Sequence, residues 1–418
     1  MAERQELIAG LDIGSTAIRL AVGQNIEGGE KIHIIGTAEV LAEGISKGII
    51  SSIEDAVSSI SACLEKAERM IGVPIESAWV GISGGHIISQ ESRGVVAVAR
   101  SDGEISEDDI ERSIEAARTV ATPPNYEILH VIPKGFTVDG QVGIKDPLGM
   151  TGIRLEVDTQ IIQGLGSQIK NLTKAVYRPG INIEDLVLSI LATSEAVLTS
   201  RQKELGVAVI NIGGSTTSLA VFEEGDILHT AVMPIGSDHI TSDIAIGLRI
   251  SIDAAEKIKL EYGTALSSEV GKRDEIDIGE LEGKESNFIS KKYIAEITEA
   301  RVEEIFEKVD AELKKIDKSG KLPAGIVLTG GGAKLNGLVD AAKKKLRLPA
   351  SLGKPSNITS AIDKVNDPAF ATAIGLVIWG SQLVGQRHRR GLGKIFNYLP
   401  NLKGLTNQTK KWFKKIIP

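Results

Sequence analysis

Cysteine is nearly missing from this chain. Cys63 is the only one among 418 residues, so neither an internal disulfide nor a site of several thiolates can form. It falls inside an amphipathic helical pattern and reads as a small buried hydrophobe. Long apolar runs are missing as well, since none reaches the roughly 18 residues that a spanning helix needs. The opening MAERQE is polar and acidic rather than signal-like, so a cytoplasmic chain is expected. His33, His86, His130, His229, His239 and His388 lie scattered without ligand spacing and read as structural or surface groups.

Acidic residues are also absent from the C-terminal end. No Asp or Glu follows Asp367, whereas nine Lys or Arg do, so residues 1–367 carry −16 against −7 for the whole chain. An acidic body with a basic tail marks a tail that meets something anionic. The tail ends in LTNQTKKWFKKII. On a helix, Leu405, Thr409, Trp412, Phe413, Ile416 and Ile417 share one face, with Lys410, Lys411, Lys414 and Lys415 beside and behind it. Such a helix can lie in a membrane interface, its apolar side among acyl chains and its ammonium groups among anionic headgroups. Each lysine contributes roughly 1 kcal/mol there. The alternative is a terminal helix packed on protein, which the charge asymmetry disfavours. The apolar face suits lipid better than nucleic acid. A second apolar set, Leu392, Ile395, Phe396, Leu399 and Leu402, precedes the helix.

The remainder has a soluble globular composition, 42% hydrophobic and 25% charged. Its length calls for two domains or one with large insertions. Residues 7–13, LIAGLDI, form an apolar run ending in Gly14-Ser15-Thr16 and resuming as AIRLAVG, which predicts two strands joined by a tight turn. Asp12 inside this run needs a reason, because a buried carboxylate is costly without a partner. A metal-bound phosphate would supply one. A helix over Glu54 to Ile71 and a buried strand SAWVGIS follow.

From Gly84 to about Gly164 the texture becomes that of a small inserted α+β unit, with a helix capped by Ser106 and a shaped turn in GIKDPLGMTGIRLEV. LVLSILATSEAVLTSRQKE predicts one helix. It leads into GVAVINIGGSTTSLAV, where the opening motif recurs as a strand, Asn211, Ile212, the turn Gly213-Gly214-Ser215-Thr216 and a returning strand. Two copies suggest a duplicated fold, and turns facing each other could cradle a phosphate chain with backbone N–H groups. DHITSDIAIGLRISIDAAEKIKLEYG and KKYIAEITEARVEEIFEKVDAELKKI are helical in pattern. A third turn, Thr329-Gly330-Gly331-Gly332, opens onto a helix and can bind an anion or admit a flat ring. Lys343, Lys344 and Lys345 read as a solvated face, and Pro368 to Leu383 predicts a helix.

LDIGST, INIGGST and VLTGGGAKLNG, in that order and at that spacing, resemble the two phosphate loops and the adenosine loop of the actin, Hsp70 and sugar-kinase superfamily. Within it the chain resembles the bacterial FtsA cell-division family over essentially its full length. The distinguishing pieces are HVIPKGFTVDG and GIKDPLGMTGIRLEV in the inserted unit, HITSDIAIGLRISIDAAEKIK, and the basic C-terminal helix.

The resemblance implies an α/β actin-like ATPase fold of duplicated ribonuclease H-like domains, with ATP and Mg²⁺ in the cleft between them. The expected division is 1–83 completed by 165–203 and 368–384; an inserted α+β subdomain at 84–164; 204–240 completed by 315–367; a small subdomain at 241–314; a basic linker at 385–404; and the amphipathic helix at 405–418. Asp12 would face the metal through water. Gly14, Ser15 and Thr16 with Asn211, Gly213, Gly214, Ser215 and Thr216 would hold the phosphates, Glu256 and Lys259 would meet ribose and base, and Gly330, Gly331 and Gly332 would line the adenosine. The resemblance further implies a peripheral protein on the cytoplasmic face of the membrane at the division septum. There it would polymerise with itself, bind the C-terminal peptide of FtsZ through 241–314, bind anionic lipid through Leu405, Lys410, Lys411, Trp412, Phe413, Lys414, Lys415, Ile416 and Ile417, and recruit later division proteins.

Two positions depart from the superfamily pattern. The second loop begins with Asn211 where the pattern has Asp, so this position brings Mg²⁺ no negative charge and offers no base. SILATSEAV lacks the Glu-Pro pair that positions the attacking water in chaperone-like relatives, and Glu195 is displaced from that place. Both argue for ATP binding with slow or absent hydrolysis. The rival readings are an actin-like assembly factor of a pilus or secretion system, which the tail disfavours, and a sugar kinase, which would need a catalytic Asp and has no use for a lipid-binding tail.

Overall fold

The computed structural model describes residues 7–25, 31–119, 122–271, 273–279 and 286–388. The tail from residue 389 onward, including the expected lipid-binding set from Leu405 to Ile417, lies outside the described residues. Two compact units emerge, one from residues 7–87 and 167–385 and one from residues 88–166.

In the larger unit the apolar runs become strands buried on both faces. Leu7–Ile13, Ala17–Asn25 and Ile32–Leu41 form an antiparallel meander. Ser77–Ile82 pairs in parallel with Leu7–Ile13, Asn182–Leu188 pairs in parallel with Ser77–Ile82, and Ile358–Thr359 adds a short far edge. A second sheet repeats the plan. Val207–Ile212, Thr217–Glu223 and Asp226–Met233 form its meander, and Ile326–Thr329 and Ala350–Leu352 extend it in parallel. Order and polarity match in the two sheets. In each, the central strand carries its polar residue one position before the end, Asp12 in one and Asn211 in the other.

Two helices join the halves. Ser189–Val197 leaves the edge strand of the first sheet and packs on Val207–Ile212 and Thr217–Glu223 of the second. Ala371–His388 lies on the first sheet instead, where a Cβ at Gly10 would sit 2.3 Å from the Ala373 carbonyl oxygen. The two helices cross where a Cβ at Gly375 would sit 2.0 Å from the Ala192 carbonyl oxygen. Only glycine permits that approach.

Some expected elements divide. The single helix expected over LVLSILATSEAVLTSRQKE is instead the end of Asn182–Leu188 followed by Ser189–Val197 and Ser200–Leu205. Continuous parallel pairing captures the Leu186, Val187 and Leu188 segment, and the reciprocal cap of Thr199 and Gln202 starts a new helix. The stretch after Gly236 is likewise two helices, Ser237–Leu248 and Ile252–Tyr262, because Arg249 turns left-handed at φ 57° and Ser251 caps the second. The third glycine turn opens on a 3₁₀ turn, Gly331–Lys334, before the helix Leu338–Leu346. These helices, with the hairpin Glu275–Asp277 and Phe288–Ser290 and the long helix Lys291–Lys315, enclose a core that includes Phe306, Ile258 and Ile294.

The smaller unit is a four-stranded antiparallel sheet of Ile87–Ala97, Arg154–Leu165, Tyr126–Val138 and Gln141–Ile144 in that order, with the helix Glu107–Arg118 on it. Ile105, Ile110, Phe136, Leu155 and Val157 form its core. Asp109 is buried, which alone would raise its pKa. The Ser106 hydroxyl and N–H, the Ala99 N–H and Arg112 instead hold it down at about 2.

Gly375→Ala is expected to destabilise the larger unit by about 1–3 kcal/mol through overpacking at the helix crossing. Gly135→Ala, whose added Cβ would meet only the Ile144 carbonyl oxygen at 4.0 Å, should stay within about 0.5 kcal/mol of the parent. Thermal unfolding of the two variants checks this, and equal midpoints would show that the crossing has slack.

Candidate functional site

The strand-to-turn junctions of both sheets converge in the larger unit. Asp12 sits near the end of its strand with Arg19 opposite it across the hairpin, and Arg19 in turn pairs with Glu39 at 2.7 Å. Desolvation pushes the Asp12 pKa up to about 6, with Arg19 pulling the other way. Gly14 closes the turn, since a Cβ there would lie 2.7 Å from the Ala17 carbonyl oxygen. The Ser15 hydroxyl accepts from the Gly48 N–H at 3.0 Å, and the Thr16 carbonyl accepts from the Ala42 N–H at 3.0 Å.

The second turn is closed by the Gly213 N–H donating to the Thr216 carbonyl at 2.9 Å. It meets the first turn directly, because a Cβ on Gly214 would fall 1.9 Å from Thr16 Oγ1. Asp238, in the first turn of Ser237–Leu248, joins them. Its carboxylate accepts from Ser215 Oγ at 3.1 Å and from Thr16 Oγ1 at 3.3 Å.

Asn211 faces inward. Its amide nitrogen donates to Thr372 Oγ1 at 3.1 Å and Thr193 Oγ1 at 3.4 Å, and these threonines lie 2.9 Å apart at the helix crossing. Its carboxamide oxygen lies against Gly330, where a Cβ would come within 2.2 Å of it, and Gly330 holds φ at 90°. Gly332 approaches Ile212 and Ser237, whereas a Cβ on Gly331 would meet nothing within 4 Å, leaving an open backbone surface.

Next to Ser237 stands a compact polar group. Lys259 Nζ pairs with Glu256 Oε2 at 2.7 Å, and the Thr241 hydroxyl lies within 2.5 Å of that carboxylate and 2.9 Å of Nζ. Lys259 also reaches the Ser237 carbonyl at 3.5 Å. Of the expected residues, Asp12 and Asn211 thus lie near the ends of the strands that lead into the first two turns. The glycines, the serines, Thr16 and Thr216 lie on or beside the three turns, and Glu256 and Lys259 lie next to Ser237. Glu195 points elsewhere, paired with Lys203 at 2.6 Å. Sequence reasoning missed Asp238, Thr193 and Thr372. For Asp238 the signal was available, since it follows directly on the meander that carries the second turn. For the threonines no local signal exists, because only the crossing brings them together.

A region of glycines whose backbones approach one another, one desolvated carboxylate and hydroxyls from two turns can receive a polyanion together with a cation. Among the described residues no three His, Cys, Asp or Glu side chains are grouped as metal ligands. No helix among them is long and apolar enough to cross a membrane.

Comparison with known proteins supplies the lineage. Residues 208–375 match the family described as "Cell division protein FtsA", and residues 84–163 match "SHS2 domain inserted in FTSA". The chain is 38% identical to the cell division protein FtsA of Pseudomonas aeruginosa over 377 residues, 90% of each chain. It is 36% identical to that of Neisseria meningitidis over 413 residues, 99% of each, and 39% identical to that of Bacillus subtilis over 89% of this chain and 83% of the other. Among solved structures, the chain resembles the PilM-PilN type IV pilus biogenesis complex at a TM-score of 0.66 with 17% identity, covering 89% of this chain and 98% of the other. It resembles MreB5 of Spiroplasma citri bound to ADP at a TM-score of 0.55 with 13% identity, covering 92% and 99%. The fold is thus that of the actin-like ATPases, and the duplicated sheets, the inserted unit and the near full-length identities make this chain a member of the FtsA family of cell division proteins.

Proposed function

We propose that this division protein binds ATP with Mg²⁺ in the cleft, assembles with copies of itself, and tethers FtsZ filaments to the cytoplasmic face of the membrane through its basic tail, recruiting later division proteins there. The observation that carries the reading is the meeting of the two glycine turns at Gly214 and Thr16 beside Asp12. MreB5 of Spiroplasma citri, which shares the fold, was solved with ADP and with AMPPNP.

The residues fit the proposed ligand. Gly14, Ser15, Thr16, Gly214, Ser215 and Thr216 would bring backbone N–H groups and hydroxyls to phosphates, with Gly213 closing the second turn beneath them, and Gly330, Gly331 and Gly332 would offer a flat backbone to an adenine ring. Glu256 and Lys259 stand beside Ser237 as polar contacts for the ribose and base. Asp12 is the desolvated carboxylate that a hydrated cation would satisfy. Bound Mg²⁺ supplies charge neutralisation of the phosphates. Hydrolysis is expected to be slow, because the Asn211 amide is held by two threonines and Glu195 by Lys203. Steady turnover should stay below about 1 per second, the low end for dedicated kinases, in a phosphate-release assay.

A surface for the FtsZ peptide is supported within 241–314, where Ile246 is 76% exposed, Leu260 71% and Phe288 63%. Exposed large apolar side chains in one small subdomain suit a peptide partner. The likeness to PilM-PilN favours a second reading, an assembly factor of a pilus, but the relatives at 36–39% identity are division proteins.

Asp12→Asn removes a charge that burial disfavours. Because the folded-state pKa of Asp12 rises from 3.8 to about 6, the penalty is absent below the lower value and complete above the upper one. Without nucleotide the variant should therefore unfold at a higher temperature than the parent, by a margin that widens between these two pH values and then levels off. It should also lose most of the Mg-ATP-induced rise in unfolding temperature at pH 7.5. An unchanged nucleotide response would remove Asp12 from the metal's surroundings.

Flotation with liposomes containing anionic lipid tests the tether. The full chain should float, more so with ATP, and a chain ending at Gly391 should not. Equal behaviour of the two would end the tail's role as anchor.

A further inference from the structure

Asp238 places a negative charge among the groups that the proposed function reserves for phosphate. We propose that this carboxylate is an internal competitor for the terminal phosphate, so that Asp238 sets how strongly the cleft favours a nucleoside diphosphate over a triphosphate. The inference rests on the nucleotide-binding reading above and specifies which residue governs it.

The backbone fixes where the carboxylate goes. The N–H groups of Ser237 and Asp238 donate to the Gly213 and Gly214 carbonyls at 2.9 and 2.8 Å, so the first amides of the helix are closed by the second turn and not offered to a ligand. Gly236 makes this possible, since a Cβ there would sit 2.3 Å from the Gly214 carbonyl oxygen. The Asp238 side chain then folds back over Gly214, where a Cβ would meet its Oδ2 at 2.6 Å.

The hydrogen bonds show what it takes up. Oδ2 accepts from Ser215 Oγ at 3.1 Å and from Thr16 Oγ1 at 3.3 Å, and Oδ1 lies 3.4 Å from the same Thr16 hydroxyl. One carboxylate thus draws on a hydroxyl from each turn, in the way a phosphate oxygen would. No cation pairs with it among the salt bridges of the described residues.

Charge makes the effect selective. Asn211 brings no charge to the second turn, whereas the Asp238 carboxylate lies directly against it. A triphosphate brings its extra charge to the end of the chain that lies between the two turns, and like charges a few ångströms apart repel strongly in a partly desolvated site. The diphosphate, ending one phosphate earlier, keeps more distance.

Titration calorimetry of the full chain with Mg-ADP and Mg-ATP tests this, comparing the parent with Asp238→Asn and Asp238→Ala. Asp238→Asn should bind Mg-ATP about tenfold more tightly, with a clearly smaller gain for Mg-ADP. An unchanged ratio of the two affinities overturns the proposal. So does weaker Mg-ATP binding, which would make Asp238 a ligand of the cation. If the parent and both variants bind neither nucleotide, the nucleotide-binding reading fails instead. The carboxylate's grip on the two turns is then read by hydrogen exchange without ligand. Asp238→Ala should speed exchange of the amides at 14–16 and 214–216, whereas exchange unchanged from the parent would overturn the contact itself. An unfolding temperature close to the parent's confirms that each variant is folded.

Discussion

The close crossing of Ser189–Val197 and Ala371–His388 is the contact on which the larger unit depends. Ser189–Val197 leaves the edge strand of the first sheet and packs on the second, Ala371–His388 lies on the first, and the two meet where the Gly375 backbone faces the Ala192 carbonyl. The contact is backbone to backbone and nearly dry. Ser189–Val197 buries every residue except Glu195. Polar side chains survive there because they satisfy one another. The Thr193 hydroxyl donates to the Ser189 carbonyl at 2.7 Å, which leaves the Thr372 hydroxyl to donate to Thr193 at 2.9 Å. Buried donors and acceptors arranged in series fix one geometry, since each displacement strands a group without a partner.

The glycine turns follow from this constraint. Duplicated sheets held at a fixed crossing bring two hairpin turns face to face, and side chains at Gly214 or Gly330 would prop the turns apart. The glycines therefore do more than supply flexible backbone. They let three turns occupy one small volume. The same closeness explains the desolvation of Asp12, whose raised pKa follows from the packing around it with only Arg19 opposing.

The sequence showed clearly whatever is written locally. The two strand-turn-strand motifs, the inserted unit and the residues of the three glycine turns were legible because turn chemistry and apolar runs are local signals. The single helix expected over 186–204 was not legible correctly. Leu186, Val187 and Leu188 fit a helix or a buried parallel strand equally well by periodicity, and pairing with Ser77–Ile82, distant in sequence, decides between them. Thr193 and Thr372 carry no local mark, since their meaning arises from a contact across 179 residues. Glu195 could be recognised as out of place, but its pairing with Lys203 depended on where Ser200–Leu205 begins.

The neutral residue at 211 can now be understood from the crossing. Thr193 and Thr372 direct their hydroxyl protons toward Ser189, so the series needs a donor at its open end, and the Asn211 amide nitrogen provides it. A carboxylate at that position could only accept. It would have to reverse the orientation of Thr372, leave the Thr193 oxygen without its donor, and place a charge against the Gly330 backbone, where Asn211 Oδ1 already lies closer than a Cβ would allow. The loss of charge in the second turn and the integrity of the helix crossing are therefore one physical choice. With that position neutral, a carboxylate still reaches the second turn from its other side, where Asp238 accepts from the hydroxyls of Ser215 and Thr16.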